Sequence, residues 1–140
     1  MILYLDTSSL VKLYVEEKNS PHVQSIVSKA TILSTSLVAY AEARAAFARK
    51  RAEDGFSAAV LKRISEDLNR DWESYYVIEF TDGLVRTAGD IAEKHHLRGF
   101  DSIHLSSAIN LKRKIGSDVF FSSHDERLNR AAAKEGLTIV

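Results

Sequence analysis

Short apolar runs alternate with longer amphipathic stretches along this whole chain, and that alternation leaves few folds open. Residues 2–5 read as a first strand, and Ser8 to about Glu17 as a helix. Ser20-Pro21 opens a second helix, with Ser as N-cap and Pro at the first helical position. Thr31–Ser34 reads as a second strand, after which Ser36 caps a long helix to about Arg51, with Leu37, Ala41, Ala45 and Ala48 recurring at helical spacing. Asp54-Gly55 breaks that helix, and Ser57 starts another to about Trp72. Tyr76–Phe80, rich in aromatic and β-branched residues, reads as a third strand. Thr81 caps a helix through His95, and past Gly99 a further helix runs from Asp101 to about Lys114. Asp118–Ser122 reads as a strand, 125–135 as a helix and Leu137–Val140 as a last strand. Strands separated by helices require crossover connections, so the pattern implies an α/β fold: a short parallel sheet of about five strands with helices on both faces.

A chain of 140 residues supports one core, so residues 1–140 are expected to form one domain. No cysteine is present, which excludes disulfides, thiolate zinc sites and cysteine catalysis. The N-terminal MILYLDTSSL has no basic lead and its apolar run is broken by Asp6, so it reads as a strand and not as a signal peptide. No apolar run approaches the ~18 residues of a membrane span. A cytoplasmic location with no membrane partner is the expectation.

Parallel sheets bind ligands outside the carboxyl ends of their strands. Asp6 and Asp125 both fall at such ends, one after MILYL and the other after VFFSS. Asp101 opens FDSIHLSSAI and Glu42 lies within LVAYAEARAAF, both on helices that could project a side chain toward the same edge. Each Asp has an ordinary role open to it as a helix cap. Glu42 does not, because small and apolar residues surround it and a carboxylate there needs a metal or an Arg as partner. With nothing basic evidently paired to them, four converging carboxylates repel one another unless a cation neutralises them. Oxygen donors without cysteine select a hard cation such as Mg²⁺ or Mn²⁺.

Hydroxyls stand beside the acids, Ser8 near Asp6, Ser102 by Asp101, Ser122 and Ser123 before Asp125, where they could orient carboxylates or bound water. His104 reads as a core histidine satisfied by a hydrogen bond, His95 and His96 as a solvated helix end, and His124 as a neighbour of Asp125 within reach of a substrate phosphate. No His-x-x-His or His-Glu-x-x-His spacing occurs, and no glycine-rich phosphate loop. The formal net charge of zero argues against strong non-specific attraction to nucleic acid. The cations are nevertheless clustered: Arg44, Arg49, Lys50 and Arg51 crowd one helix with Lys62 and Arg63 near, while Lys112, Arg113 and Lys114 suit a helix C-terminus.

MILYLDTSSLVKLYVEE, STSLVAYAEARAAF, LRGFDSIHLSSA and FFSSHDERLNRAAAKEGL, in this order, make the chain resemble the PIN-domain ribonucleases, and among them the VapC toxins of toxin–antitoxin pairs. The resemblance spans essentially the whole chain and implies a PIN-like three-layer α/β/α fold. It further implies a Mg²⁺- or Mn²⁺-dependent endoribonuclease in which Asp6, Glu42, Asp101 and Asp125 match the family's acidic quartet and hold the metal. Ser8 matches a small polar position supporting the first acid, and Ser123 stands where relatives often carry threonine. Arg44, Arg49 and Lys50 become candidate RNA contacts. Implied partners are an RNA substrate, a VapB-like antitoxin that inserts into the acidic groove, and a second copy in a homodimer.

Two other readings compete. A PIN fold that has lost cleavage could bind RNA or protein, although all four acids are present. An Asp-dependent phosphatase of the haloacid dehalogenase type would want a second Asp two residues after the first, where this chain has Ser8, and a phospho-receiver would want an acidic pair and a late Lys.

Overall fold

Strands β1 (Ile2–Leu5), β2 (Ile32–Ser36), β3 (Tyr76–Ile78), β4 (Val119–Ser122) and β5 (Thr138–Ile139) form one sheet in the order β3-β2-β1-β4-β5 in the computed structural model, which describes residues 1–140. Every neighbouring pair is parallel. The chain starts in the middle of the sheet, builds outward to β3, then crosses back to place β4 on the other side of β1. The topological switch point, where such sheets open a crevice, is therefore between the carboxyl ends of β1 and β4.

The central strand is buried on both sides, as a parallel strand between helical layers must be. Successive side chains of β1 alternate between faces. Leu3 and Leu5 pack with Leu10, Ile26, Phe47 and Leu68, contributed by α1 (Thr7–Val11), α2 (Ser20–Val27), α3 (Val38–Asp54) and α4 (Ala58–Trp72). Tyr4 points the other way, with Phe121, into a core filled by α5 (Asp82–His95), α6 (Gly99–Ile115) and α7 (Glu126–Lys134), whose Ile91, Leu105 and Leu128 are buried. The three-layer α/β/α arrangement expected from the alternation is thus present. No helix is long and apolar enough to cross a membrane.

Several boundaries differ from the sequence reading, each for a local reason. The first helix ends at Val11, because the Val11 carbonyl accepts from both Tyr14 and Val15 and the chain continues in turns toward Glu17. Asn19, at φ 72°, occupies the N-cap of α2 in place of Ser20. The buried Ser20 hydroxyl instead faces back, accepting from the Glu17 amide at 3.0 Å and donating to the Val15 carbonyl at 3.3 Å. Strand β2 extends to Ser36, leaving Leu37 as the N-cap of α3 with Ser36 Oγ accepting from the Val38 amide at 3.4 Å. Ser57 and Thr81 cap α4 and α5 as expected, accepting from Val60 and Leu84. Gly55 ends α3 in the left-handed conformation, at φ 71°. Strand β3 stops at Ile78, and Phe80 is exposed.

The face of α3 is also different. Ala39, Ala43 and Phe47 are its buried stripe, whereas Leu37, Ala41, Ala45 and Ala48 are exposed. Each alanine offers only one methyl group to bury, about 0.8 kcal/mol per carbon. The single phenyl ring of Phe47 therefore decides which face turns inward.

Candidate active site

Asp6 follows β1 directly, its amide continuing the ladder to the Ser122 carbonyl at 3.1 Å. Its carboxylate is 4% exposed and fully engaged. Oδ1 accepts from Ser8 Oγ at 2.7 Å and from the Ser9 amide at 3.0 Å, while Oδ2 accepts from Ser123 Oγ at 2.6 Å. Capping α1 and belonging to an acidic site are thus compatible for this residue. Burial pushes its carboxyl above the ordinary range, only partly offset by His104 and by hydrogen bonds from Ser123, Ser8 and Ser9.

Asp125 leaves β4 in the same way. Its Oδ1 caps α7 by accepting from the Leu128 amide at 2.9 Å, and its own amide donates to Ser123 Oγ at 3.1 Å. Ser123 therefore joins the two strand-exit acids through one hydroxyl. Ser8 closes the loop by accepting from the His124 amide at 2.9 Å. Both serine hydroxyls thus donate to Asp6.

Glu42 reaches the cluster from the first turns of α3. Its Oε1 accepts from Thr7 Oγ1 at 2.6 Å and from His104 Nε2 at 2.8 Å, and Thr7 Oγ1 lies 3.1 Å from the same nitrogen. The Tyr4 hydroxyl stands 2.8 Å from His104 Nδ1. Tyr4 is fully buried, which pushes its hydroxyl pKa well up and keeps the proton on it. That proton is donated to Nδ1, so Nε2 carries its own hydrogen toward Glu42 and Thr7. Burial tends to raise the Glu42 carboxyl, but hydrogen bonds from His104 and Thr7 prevail and hold it below the usual range, ionised. The partner expected for Glu42 was a metal or an Arg; this structure supplies a histidine and a threonine. His104 is a buried, satisfied histidine as expected, yet its partner is an acid of the site.

Asp101 is the third residue of α6 and does not cap it; Arg98 is the N-cap residue. The Arg98 guanidinium spans the remaining acids, donating from Nε to Asp101 Oδ2 at 2.9 Å and lying 3.8 Å from Asp125 Oδ2 through its terminal nitrogen. The cluster therefore does have a basic partner, contrary to the sequence reading. It is an exposed one, with the Arg98 side chain 81% accessible, so the pair is worth about 0–1 kcal/mol.

Other candidates lie farther out. Ser102 Oγ donates to the Gly99 carbonyl and Ser122 pairs with Ser9, so neither orients an acid. Arg44 donates to the Tyr40 hydroxyl, and Lys50 pairs with Glu17 at 3.3 Å, as does Lys12 at 2.7 Å. Arg49 borders a crevice of about 580 Å³ that also exposes Glu42, Arg98, Phe100 and Asp101. His124 accepts or donates at Ser9 Oγ over 3.1 Å, and burial followed by nearby Lys12 lowers its pKa. His95 is buried against Glu135 and not solvated as expected, whereas His96 is exposed at the left-handed end of α5. Lys112, Arg113 and Lys114 end α6, as anticipated.

Sequence reasoning missed Thr7, Tyr4 and Arg98. The signals were faint: Thr7 adjoins Asp6, and Arg98 precedes Asp101 by three positions, a helical pairing distance.

The oxygen-only donor set suits a hard divalent cation. As the side chains stand, no three acids or histidines enclose a metal position. Mg²⁺, however, commonly takes one or two carboxylates and keeps several waters. Glu42 Oε2 and Asp101 Oδ1 accept no hydrogen bond from the protein and are free to serve.

Comparison with known proteins gives the family and the fold. The sequence model of the PIN domain family matches residues 3–134. Ribonuclease VapC45 of Mycobacterium tuberculosis is 32% identical over 112 residues, 77% of this chain and 75% of that protein. Among solved structures, FitAB bound to an IR36 DNA fragment aligns with a TM-score of 0.73 at 13% identity, over 99% of this chain and 94% of that one. A toxin–antitoxin complex from Klebsiella pneumoniae aligns at 0.63 and 14% identity, over 89% and 87%. At such identities the structural likeness speaks for the fold alone.

Proposed function

The chain belongs to the PIN domain family, and on that premise we propose that it is a Mg²⁺- or Mn²⁺-dependent endoribonuclease, the toxin of a toxin–antitoxin pair. One observation carries the reading. Asp6, Asp125 and Asp101, from three separate segments, are joined at the switch point of a parallel sheet, the first two through Ser123 and the last two through Arg98, and Glu42 is bonded to Thr7, the neighbour of Asp6. Structural economy does not call for Asp6, whose burial raises its carboxyl and so costs stability. The relative named a ribonuclease supports the same reading. Residues 1–140 are taken as a single domain of this kind.

Asp6, Asp101, Asp125 and Glu42 would hold the cation, directly or through water. When bound there, the cation supplies Lewis acidity at the scissile phosphate and charge neutralisation among the acids. Hydrolysis joins a water oxygen to phosphorus, breaks one phosphorus–oxygen ester bond, and moves a water proton to a base while the leaving alkoxide takes one up. Glu42 is the base: Thr7 and His104 fix Oε1, keep the group ionised, and leave Oε2 open to the water. Asp6 gives a fixed reference point, and Asp101 and Asp125 the adjustable side. Arg49 stands at the crevice for the RNA backbone. Arg44 and Lys50 would contact RNA only beyond it, after Lys50 leaves Glu17.

The antitoxin, a VapB-like protein, would cover the crevice with an inserted segment, and a homodimer would be the working unit. The solved toxin–antitoxin complex of the same fold motivates this assignment. Cleavage of total cellular RNA by purified, antitoxin-free protein tests the proposal, with Mg²⁺, Mn²⁺ or EDTA, beside Asp6→Asn. Discrete products that need the cation and vanish in the variant are expected. Folded protein giving no such product would leave a binding domain as the better reading.

A further inference from the structure

Phosphate chemistry makes no use of Phe100, yet that ring stands in the crevice. It is 57% exposed, more than any other large apolar side chain of the protein. It lines the cavity of about 580 Å³ together with Glu42, Asp101, Arg49, Arg98 and Ile103. The ring immediately precedes Asp101 in the first turn of α6, so the helix fixes its backbone beside a site acid. No aromatic side chain of the chain packs against it. Two arginines line the same cavity, Arg49 on α3 and Arg98 at the start of α6.

We propose that this cavity is a nucleobase subsite, in which an unstacked base of single-stranded RNA lies on the Phe100 ring beside the phosphate presented to the acids. The proposal rests on the ribonuclease reading and assigns to that site a residue that would hold a base. An aromatic face accepts any base, because every base has a π-surface, but only where the strand is open and the base is free of its neighbours. The cavity volume is in the range of small-ligand pockets, large enough for one base with part of its sugar. Arg49 and Arg98 take the backbone on the two sides, offsetting the repulsion between RNA phosphate and the acids. Arg98 is already steadied by Asp101 at 2.9 Å. Duplex RNA is excluded because its bases are stacked within the helix.

The subsite is tested on the non-cleaving Asp6→Asn protein, free of antitoxin and at fixed salt. The probes are short single-stranded oligoribonucleotides of each base, the same chains with abasic nucleotides, and a duplex. Single strands are expected to bind, and adding Phe100→Ala should weaken them about tenfold, the usual scale for one base–aromatic stack. Phe100→Leu should weaken them equally, since it keeps apolar area but lacks the π-face. Phe100→Trp should retain affinity and show fluorescence quenched by single strands, measured above the background of Trp72. Abasic chains should bind weakly and without regard to residue 100.

Full affinity in Phe100→Ala or Phe100→Leu overturns the subsite while the nuclease reading survives, and would assign the exposed ring to a protein partner. An equal loss on abasic chains also overturns it. Failure of every oligonucleotide to bind, together with no metal-dependent cleavage by the unsubstituted protein, overturns both.

Discussion

Asp6 and Asp101, both proposed to hold the cation, are held by opposite means. Asp6 sits in the dry junction of β1 and β4 with three donors on its two oxygens. Asp101 is partly exposed, held by one long side chain that is itself mostly in water. The first arrangement fixes a carboxylate at a permanent energetic cost. The second lets a carboxylate change partners at almost none. A site that must bind a cation and release a product needs both, a fixed edge and a yielding one.

Replacing the fixed acid should have the largest effect. Asp6→Asn is expected to abolish cleavage while leaving the protein as stable or more so, with the melting temperature up by about 2–6 °C if the relief is worth about 1 kcal/mol. The pH dependence follows from the raised carboxyl. A folded-state value above the unfolded one stabilises the protein fully below the unfolded value, about 3.9 for Asp, and that contribution is lost as pH rises through the folded value. The advantage of Asp6→Asn should therefore be greatest at neutral pH and shrink on acidification. Melting curves of both proteins across that range decide it, and a constant difference would mean that the burial of Asp6 carries no charge penalty.

Glu42→Gln tests the boundary between the two arrangements, since Glu42 is fixed at one oxygen and free at the other. Cleavage should fall by about 10²–10⁴, the span for loss of a general base. Single-turnover rates across a Mn²⁺ titration measure it, and a loss that more Mn²⁺ restores would make Glu42 a ligand only.

His104→Ala should cost about 1–3 kcal/mol in urea denaturation, because the buried Tyr4 hydroxyl loses its acceptor. Stability unchanged within a few tenths would show that the relay contributes nothing to folding.

Arg98→Ala should have the smallest effect on folding, under about 1 kcal/mol, and less at high salt. Binding of Mn²⁺, followed by electron paramagnetic resonance, should tighten severalfold once the competing guanidinium is gone. Weaker Mn²⁺ binding would mean that the yielding side is not where the cation enters.

The acids at the strand exits were the legible ones. Asp6 and Asp125 follow apolar strands, and a parallel sheet brings strand exits to a common edge whatever the intervening sequence. Ser8 and Ser123 were legible for the same reason, being beside those exits. Glu42 announced itself as a charge among alanines, but its partners did not, because Thr7 and His104 come to it only through the packing of α1, α3 and α6. Sequence offers no measure of such a meeting. The buried face of α3 failed for a related reason: alanines give a weak pattern, and Phe47 chose the face through its contact with the core. Arg98 was overlooked because a helix boundary placed two residues late hid its relation to Asp101.

Tyr4 has a consequence beyond its own hydrogen bond. Its ring stacks on Phe121 at 5.5 Å with only 3° between the planes, and its hydroxyl sets the histidine that sets Glu42. A residue that no substrate can touch is thereby exposed to natural selection on activity. Drift at Phe121, ordinarily silent so long as volume is kept, would shift the tyrosine and be felt two side chains later at Glu42, the base of the proposed mechanism. On the proposed mechanism, packing in the interior sets chemistry in the crevice.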